Sequence, residues 1–287
     1  MKRKILLLGA KGFIGKNILE KLNKKYLIHS PSLLDLDLLS ESCVSRYFQK
    51  NRYDVVINSA VIGGSRKEEY KKNMLADNLL MFFNIVKNKK HFGKLIHFGS
   101  GAEYDKSKPL ITVKESEFDR RIPRDEYGFY KYICSKYIEK SNNITNLRIF
   151  GLFGKYEDYR YRFISNSILQ SINKSSITIQ KDVYFDYVYI DDFIKILEYF
   201  VEHNCKYKFY NIGTGKKVNL ITLAKIISRI AGNETEIIIR NNGLNNEYTC
   251  NNKRLLRELK NFTFTDLNDS LLSLYNWYIR QTISFFS

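Results

Sequence analysis

The sequence has no long apolar segment. None of its runs approaches the roughly 18 consecutive apolar residues that a transmembrane helix needs. The apolar run at residues 5–8 is soon followed by glycines and lysines, which is unlike a secretory signal peptide. We therefore expect a cytoplasmic protein that has no membrane partner.

Cysteine and histidine are scarce, with four of each in 287 residues. No Cys-x-x-Cys pair occurs, and the histidines do not have the spacing of a metal-binding pair. We therefore expect neither a disulfide framework nor a metal site. Reduced thiols are expected at Cys43, Cys134, Cys205 and Cys250.

Acidic residues are too few to balance the basic ones. The 30 Asp and Glu residues stand against 47 Lys and Arg residues, which gives a formal net charge of +17. Such an excess attracts phosphates, so nucleic acid is one class of ligand to consider. Because the lysines are spread along the whole chain, we interpret them as solvated faces that assist anionic ligands. We expect no nucleic-acid partner.

Strand and helix patterns alternate through the first half of the chain. Apolar strand patterns at 4–8, 54–58 and 94–98 are separated by helical patterns, of which the longest covers about 68–87. This alternation predicts βαβ units and a parallel sheet. The second half mixes shorter strands and helices, and it contains no linker.

A glycine-rich turn follows the first predicted strand and opens the first helix. Its glycines allow the backbone to approach a pyrophosphate, and the N-terminus of the helix presents free N–H groups to the negative charge. The position between a strand and a helix is typical of a dinucleotide site. We predict that the cofactor contacts lie within this turn, at Gly9, Lys11, Gly12, Phe13 and Ile14.

The acid that usually contacts the ribose of NAD is missing. A site for NAD normally carries Asp or Glu at the end of the second strand, but residues 29–32 read His-Ser-Pro-Ser. Lys11 lies inside the glycine-rich turn, where its charge can meet a 2′-phosphate. The sequence therefore favours NADP, used as NADPH, over NAD.

These features together predict an α/β fold. We expect a Rossmann-type doubly wound parallel sheet with a smaller, mixed C-terminal substrate-binding domain. The dinucleotide-binding domain is assigned to 1–155, with 183–213 returning to it. The substrate-binding domain is assigned to 156–182 and 214–287.

A tyrosine with a lysine one helical turn later is the pattern expected of a proton donor for carbonyl reduction. Tyrosine titrates near pH 10, and a neighbouring ammonium lowers that pKa and can bind the nicotinamide ribose. The chain contains this spacing three times, at Tyr104/Lys108, Tyr127/Lys131 and Tyr132/Lys136.

Helical geometry favours Tyr127/Lys131 among the three pairs. The first pair lies in a loop that ends at a proline, whereas the other two share one predicted helix. At about 100° per residue, Tyr127 and Lys131 flank the apolar stripe of that helix, where side chains can meet a buried cofactor. Tyr132 and Lys136 point roughly the opposite way.

The spacing GxxGxxG, with its GFIG ending, resembles the extended short-chain dehydrogenase/reductase superfamily, the NAD-dependent epimerase/dehydratase family. Asn78 in the long predicted helix, the stretch 187–193 (YVYIDDF) and the turn 210–215 (YNIGTG) match the same family pattern. The resemblance covers nearly the whole chain. The Tyr-x-x-Ser-Lys form that is common in this superfamily also occurs at Tyr132–Lys136, which keeps that pair as the alternative.

The resemblance implies a catalytic triad of Ser100, Tyr127 and Lys131. The family serine follows the fourth strand, four residues before a tyrosine, and holds the substrate carbonyl; Ser100 fits that position. The resemblance further implies cofactor contacts by Ser59, Ala60 and Asn78, and by the catalytic Tyr127 and Lys131.

Within the family, the stretches 34–39 and 60–64 resemble GDP-L-fucose synthase and related reductases of GDP-4-keto-6-deoxy sugars. Those synthases are similar in carrying a Cys and a later His that epimerise the carbons beside the ketone. Here Ala102 takes the first position, and the second falls near Arg162 and Phe163, which cannot exchange protons at neutral pH. We therefore expect reduction at C4 without epimerisation at C3 or C5.

Two further departures concern the substrate. The Asp-Glu pair of the 4,6-dehydratases is replaced by Gly101-Ala102, and Glu103 lies one place too late, so dehydration is not expected. Phe185-Asp186 stands where relatives often carry an Arg that holds the nucleotide diphosphate. The candidate sugar contacts are Ser100, Gly101 and Ala102, and the candidate diphosphate ligands are Arg160, Arg162, Lys174 and Lys181.

The resemblance implies NADPH-dependent reduction of the C4 ketone of a nucleotide-linked, GDP-type 4-keto-6-deoxy-hexose or -heptose, in polysaccharide precursor synthesis of the bacterial type. One alternative is a UDP-sugar C4 epimerase with tightly bound NAD. Another is a non-catalytic protein that binds a dinucleotide or a nucleic acid. A homodimer formed through the helices at 68–87 and 125–139 is also expected.

Overall fold

A computed structural model describes residues 2–63, 73–232 and 234–284. The strands in these residues are β1 (Lys4–Leu8), β2 (Leu27–His29), β3 (Tyr53–Asn58), β4 (Phe92–Ser100), β5 (Leu110–Val113), β6 (Ile144–Ile149), β7 (Gly151–Phe153), β8 (Ile177–Asp182), β9 (Tyr184–Tyr189), β10 (Phe209–Ile212), β11 (Lys217–Asn219), β12 (Ile237–Leu244) and β13 (Tyr248–Cys250). The helices are α1 (Phe13–Leu22), α2 (Glu41–Lys50), α3 (Met74–Val86), α4 (Glu126–Glu139), α5 (Phe163–Ile172), α6 (Ile190–Glu202), α7 (Leu220–Ile230), α8 (Lys253–Leu259) and α9 (Leu267–Ser284). The helix predicted over 68–87 begins at Met74 in the described part of the chain, and residues 64–72 lie outside it.

The main sheet has six parallel strands in the order β10-β6-β4-β3-β1-β2. The register pairs Ile5 with Val55 and Ile57 with Ile96, and all four of these side chains are fully buried. A parallel sheet that is covered on both faces needs such continuous apolar strands, because neither face meets water. The predicted parallel α/β sheet is confirmed.

Helices cover both faces of the main sheet. One apolar cluster joins the sheet to α1 and α6 and continues into α5, α7 and α9, with Ile18, Phe193 and Leu271 among its members. A second cluster on the opposite face contains side chains of α2, α3 and α4, such as Phe48 and Phe82. The predicted doubly wound arrangement is therefore confirmed.

A smaller mixed sheet lies beside the main one. Its order is β11-β9-β13-β5, β7 also pairs with β9, and β11 runs antiparallel to β9 while the other pairs are parallel. A separate parallel pair joins β8 and β12. Of the segment 183–213, β10 joins the main sheet and β9 joins the smaller one. The assigned domain boundaries stay a prediction.

The carboxyl ends of β1, β3 and β4 meet at one edge of the main sheet, since these strands are parallel neighbours. In open α/β sheets this edge is where ligands bind. Among the described helices, none is long and apolar enough to cross a membrane.

Candidate active site

The glycine-rich turn lies against the segment that follows β3. Gly9 has a φ of +79°, and a Cβ there would lie 2.6 Å from backbone atoms of Ser59 and Ala60. A Cβ on Gly15 would lie 2.3 Å from the carbonyl oxygen of Gly9. Only glycine fits these two positions, because a side chain would collide with the neighbouring backbone. Gly9, Ser59 and Ala60 thus lie together, and their contacts with a cofactor stay a prediction.

The start of α1 completes a cradle for a pyrophosphate. Gly12 precedes the helix and has no side chain to cap it, so no Gly12 side chain satisfies the first-turn N–H groups, which can bind an anion. Phe13 and Ile14 pack partly buried against the main cluster, and Lys11 is exposed beside them. These residues fit the diphosphate of a nicotinamide dinucleotide.

Asp35, the first acidic residue after β2 in the sequence, is hydrogen-bonded within its own loop. Asp35 accepts hydrogen bonds from the Ser32 hydroxyl (2.7 Å) and the Ser32 amide (3.1 Å), which hold the pKa of its carboxyl below the usual range. At the end of β2, His29 is hydrogen-bonded to Tyr53 (3.2 Å).

The side chain of Asn78 binds protein backbone. Its amide accepts from the Ile62 N–H (3.0 Å) and donates to the carbonyl oxygens of Ile62 (2.7 Å) and Met74 (2.8 Å). Asn78 thus ties α3 to the segment after β3. The cofactor contact assigned to it stays a prediction.

Ser100 ends β4 and opens a short turn that covers Gly101–Tyr104. Its hydroxyl accepts from the Ala102 N–H (3.1 Å), and its own N–H donates to the Glu103 carboxylate (3.0 Å). These two bonds form a capping box, which fixes the turn and holds the Ser100 hydroxyl at the edge of the sheet.

Helix α4 brings Tyr127 to Ser100. Asp125 caps the helix by accepting from the Gly128 N–H (2.9 Å), and a Cβ on Gly128 would lie 2.8 Å from the carbonyl oxygen of Ala102. This close approach brings Tyr127 near enough to Ser100 for the serine to act on the pKa of the phenol. Burial raises the pKa of Tyr127, while the Ser100 hydroxyl and the Arg162 charge act in the opposite direction.

Lys131 lies one turn later on α4 and is 5% exposed. Its ammonium donates to the carbonyl oxygen of Phe98 and lies 5.9 Å from the ring centroid of Tyr127. Burial lowers the pKa of Lys131 to about 8. The structure thus brings Ser100, Tyr127 and Lys131 to one place, and Arg162 is the cation that most lowers the pKa of Tyr127.

The two other Tyr-x-x-x-Lys pairs have different surroundings. Tyr132 donates to the Asp119 carboxylate, and Lys136 pairs with the same carboxylate at 2.9 Å. Tyr104 is buried and donates to Asn211 (2.7 Å). Both tyrosine hydroxyls therefore serve hydrogen bonds within the protein.

A buried ion pair beneath the Ser100 turn escaped the sequence reasoning. Arg148 and Glu103 lie 2.6 Å apart, with side chains 1% and 0% exposed. The guanidinium lies 4.3 Å from the Phe118 ring centroid and 4.4 Å from that of Phe209. Ser135 donates to the Glu103 carboxylate, as does Asn146 (3.2 Å). The sequence signal for this ion pair was an arginine, Arg148, between two apolar residues of strand β6.

Tyr248 is the second residue that the sequence reasoning missed. Its hydroxyl lies 3.4 Å from the Ser100 hydroxyl, and its ring contacts Phe150 (centroids 5.0 Å apart) and Phe185 (5.9 Å). Tyr248 lies on β13 of the smaller sheet, 148 residues from Ser100 along the chain. No local spacing could have linked the two.

The candidate diphosphate ligands differ in their surroundings. Arg160 pairs with Asp158 at 2.8 Å, and both side chains are exposed. Arg162 lies 4.0 Å from Glu157, which is buried and accepts from Ser165 (2.7 Å).

Lys174 follows α5 with a φ of +55°, and Lys181 lies on β8. Of the four cations, Arg162 is thus the one whose charge acts on Tyr127. Across 2–63, 73–232 and 234–284, no group of three His, Cys, Asp or Glu residues could hold a metal ion.

The family model described as the NAD dependent epimerase/dehydratase family matches residues 5–213. The chain belongs to this family. Its model covers most of the chain, including the glycine-rich turn and the three converging residues. Enzymes of the family depend on a nicotinamide cofactor, so the expected resemblance is confirmed, and the cradle at Gly9 and Gly15 fits that cofactor.

Similar proteins agree with this membership. The chain is 24% identical over 257 residues to GDP-L-colitose synthase of Yersinia pseudotuberculosis, covering 80% of this chain and 82% of that protein. It is 25% identical over 266 residues to GDP-L-fucose synthase of Azorhizobium caulinodans, covering 82% and 83%.

A solved structure of MlghC, a GDP-mannoheptose C4 reductase from Campylobacter jejuni with NADP bound, has a TM-score of 0.81 at 20% identity, covering 96% of this chain and 98% of that one. At this identity the likeness shows that the two proteins share a fold.

Proposed function

We propose that this protein reduces the C4 ketone of a nucleotide-linked 4-keto-6-deoxy sugar, with NADPH as the reductant. The observation that carries the proposal is the convergence of Ser100, Tyr127 and Lys131 at the carboxyl end of β4. When bound, NADPH supplies a hydride to the carbonyl carbon. Gly9, Gly12 and the start of α1 would hold its diphosphate.

The protein residues handle the oxygen at C4. Tyr127 donates its phenolic proton to the forming alkoxide, and its raised pKa keeps it protonated at neutral pH. Ser100 donates a hydrogen bond to the same oxygen and so stabilises its developing charge. Lys131 adds a buried positive charge one helical turn away.

Three further points of the proposal concern ligands and product. The absence of an acid at 29–32 and the exposed Lys11 support NADPH over NADH. The names of two relatives and one neighbour support a GDP-linked hexose or heptose. Ala102, which is 2% exposed and has no proton to exchange, supports a product whose C3 and C5 keep their configuration.

The domain division and a homodimer formed through α3 and α4 are also proposed. Leu80 on α3 is 43% exposed and would be covered in such a dimer. Light scattering of the purified protein would give its mass in solution.

The decisive assay mixes the protein with a panel of GDP- and UDP-linked 4-keto-6-deoxy sugars and follows oxidation of NADPH, with NADH in parallel, at 340 nm. Tyr127→Phe should lower turnover by about 10²–10⁴-fold while leaving NADPH binding intact, because only the proton donor is lost. The matched control Tyr132→Phe, on the same helix, should retain turnover.

Equal turnover in Tyr127→Phe and the wild-type protein would contradict the assignment. Conversion of a UDP-sugar without net consumption of NADPH would instead indicate the C4 epimerase. Running the reaction in D2O tests the product, because epimerisation would introduce deuterium at C3 or C5.

A further inference from the structure

The environment of Tyr248 gives this residue a part in the reaction. Building on the proposed function, we infer that Tyr248 is a positioning residue whose hydroxyl donates to the Ser100 hydroxyl and thereby directs the Ser100 proton toward the substrate oxygen. The inference depends on the hydrogen-bonding capacity of Ser100 and on how tightly the ring of Tyr248 is held.

The ring of Tyr248 is held against the Ser100 turn from the smaller sheet. It packs on Phe150 and Phe185, and β13 pairs with β5 and β9 on its two sides. A Cβ on Gly101 would lie 2.6 Å from the Tyr248 hydroxyl oxygen. The glycine next to Ser100 therefore makes room for the Tyr248 hydroxyl.

A serine hydroxyl has one proton and two lone pairs. One lone pair of Ser100 accepts from the Ala102 N–H at 3.1 Å. If Tyr248 donates to the second, both lone pairs are occupied and the single proton must point to another acceptor. The proposal assigns as acceptors the substrate oxygen and, without substrate, the Tyr127 oxygen, whose pKa Ser100 lowers.

Either hydroxyl of the pair can donate, and the proposal assigns the donor role to Tyr248. A phenol is a more acidic hydroxyl than the aliphatic hydroxyl of serine, and burial raises the pKa of Tyr248, so it keeps its proton at neutral pH. The separation of 3.4 Å is longer than the usual 2.7–2.8 Å between hydroxyls. Catalytic hydrogen bonds are often long before substrate binds and shorten in the substrate complex.

A double-mutant cycle tests whether Tyr248 acts through Ser100. Ser100→Ala should lower kcat by about 10²-fold, and Tyr248→Phe by about 10-fold with little change in KM. The double variant should be no slower than Ser100→Ala, because an orienting partner has no effect once its target is gone. Tyr184→Phe, on the same small sheet, should be unchanged.

Losses in kcat that multiply in the double variant would overturn the inference, since they would mean that Tyr248 acts independently of Ser100. A loss of the same size in Tyr184→Phe would also overturn it, because the small sheet would then be the cause. Thermal unfolding of each variant establishes that the fold is retained.

A second measurement needs neither substrate nor cofactor, so it stands even if the proposed reaction is not found. In protein carrying 13Cζ-labelled tyrosine, the Tyr127 resonance is assigned by its loss in Tyr127→Phe. At pH 7, Tyr248→Phe should move this resonance in the same direction as Ser100→Ala, because both change how the Ser100 hydroxyl acts on Tyr127. A resonance unmoved by Tyr248→Phe but moved by Ser100→Ala would reject the positioning role.

Discussion

The charged groups beneath Ser100 and those along 157–162 use the same chemistry in opposite surroundings. Beneath Ser100, Arg148 and Glu103 form a pair that water does not reach, and Ser135, Asn146 and Tyr104 supply the remaining hydrogen bonds. Arg160 pairs with Asp158 where the two side chains are 56% and 36% exposed.

The difference shows that the buried pair can fix the conformation of the Ser100 turn, whereas the exposed pair can give up its ion pair for a ligand. Removing a charge from water is costly, so a buried pair persists only when its geometry and hydrogen bonds are complete. The Glu103 carboxylate, which also accepts from the Ser100 N–H, therefore holds the turn in one conformation. An exposed pair is weak, so its arginine can leave the carboxylate for the phosphates of a ligand.

Glu157 lies between these extremes. It is buried like Glu103, but its nearest guanidinium, that of Arg162, is 4.0 Å away. With this looser pairing, burial dominates and raises the pKa of Glu157 to about 7. A buried carboxyl without a close cation is thus held partly neutral at pH 7.

The largest effect should come from breaking the buried pair. Arg148→Ala leaves the Glu103 carboxylate uncompensated and removes the guanidinium from its contacts with the Phe118 and Phe209 rings. We expect the free energy of unfolding to fall by about 3–5 kcal/mol, measured by urea denaturation. The exposed Arg120, which pairs with Glu117, supplies the control Arg120→Ala. Equal free energies of unfolding for the two variants would contradict the claim that the buried ion pair matters more for stability than an exposed one.

The next effect is the pH dependence of stability that Glu157 contributes. The pKa of Glu157 is about 7 in the folded state, against an ordinary value of 4.5, so the folded state binds more protons between these pH values. The contribution of Glu157 to the free energy of unfolding is fully present below pH 4.5 and is lost as the pH rises through 7. The total loss is about 3 kcal/mol.

Glu157→Gln should therefore gain stability relative to the wild-type protein between pH 5 and pH 8, as followed by urea midpoints across that range. The amide keeps the acceptor for Ser165, so the comparison isolates the charge. A difference between the two proteins that is constant with pH would argue against the raised pKa.

The smallest effect on stability belongs to the exposed pair. Arg160→Ala should leave the urea midpoint unchanged. If Arg160 holds the diphosphate, its loss should raise KM for the nucleotide-sugar roughly tenfold, because a charge-assisted hydrogen bond is removed. Arg240→Ala, on the exposed strand β12, is the matched control. A KM unchanged by Arg160→Ala would leave Arg162, Lys174 or Lys181 as the ligand.

Much of the main sheet and part of the site could be predicted from the sequence. The alternation of strand and helix patterns was enough for the parallel sheet, and the glycine spacing was enough for the turn at Gly9. The choice of Tyr127 and Lys131 used helical periodicity. In the structure Tyr127 lies near Ser100, and Lys131 donates to the carbonyl oxygen of Phe98, two residues before Ser100. The short strands β5, β7, β11 and β13 could not be predicted, because each is stabilised by pairing with distant segments.

The sequence by itself determined the features that depend on neighbours along the chain: helix periodicity, the glycine turn and the Tyr-x-x-x-Lys spacing. The tertiary structure alone decided that Tyr248 reaches Ser100 and that Glu103, one place too late for a dehydratase, turns inward to Arg148. The physical reason is that a side chain's partner and burial depend on which distant strands pair, and that depends on the packing of the whole chain.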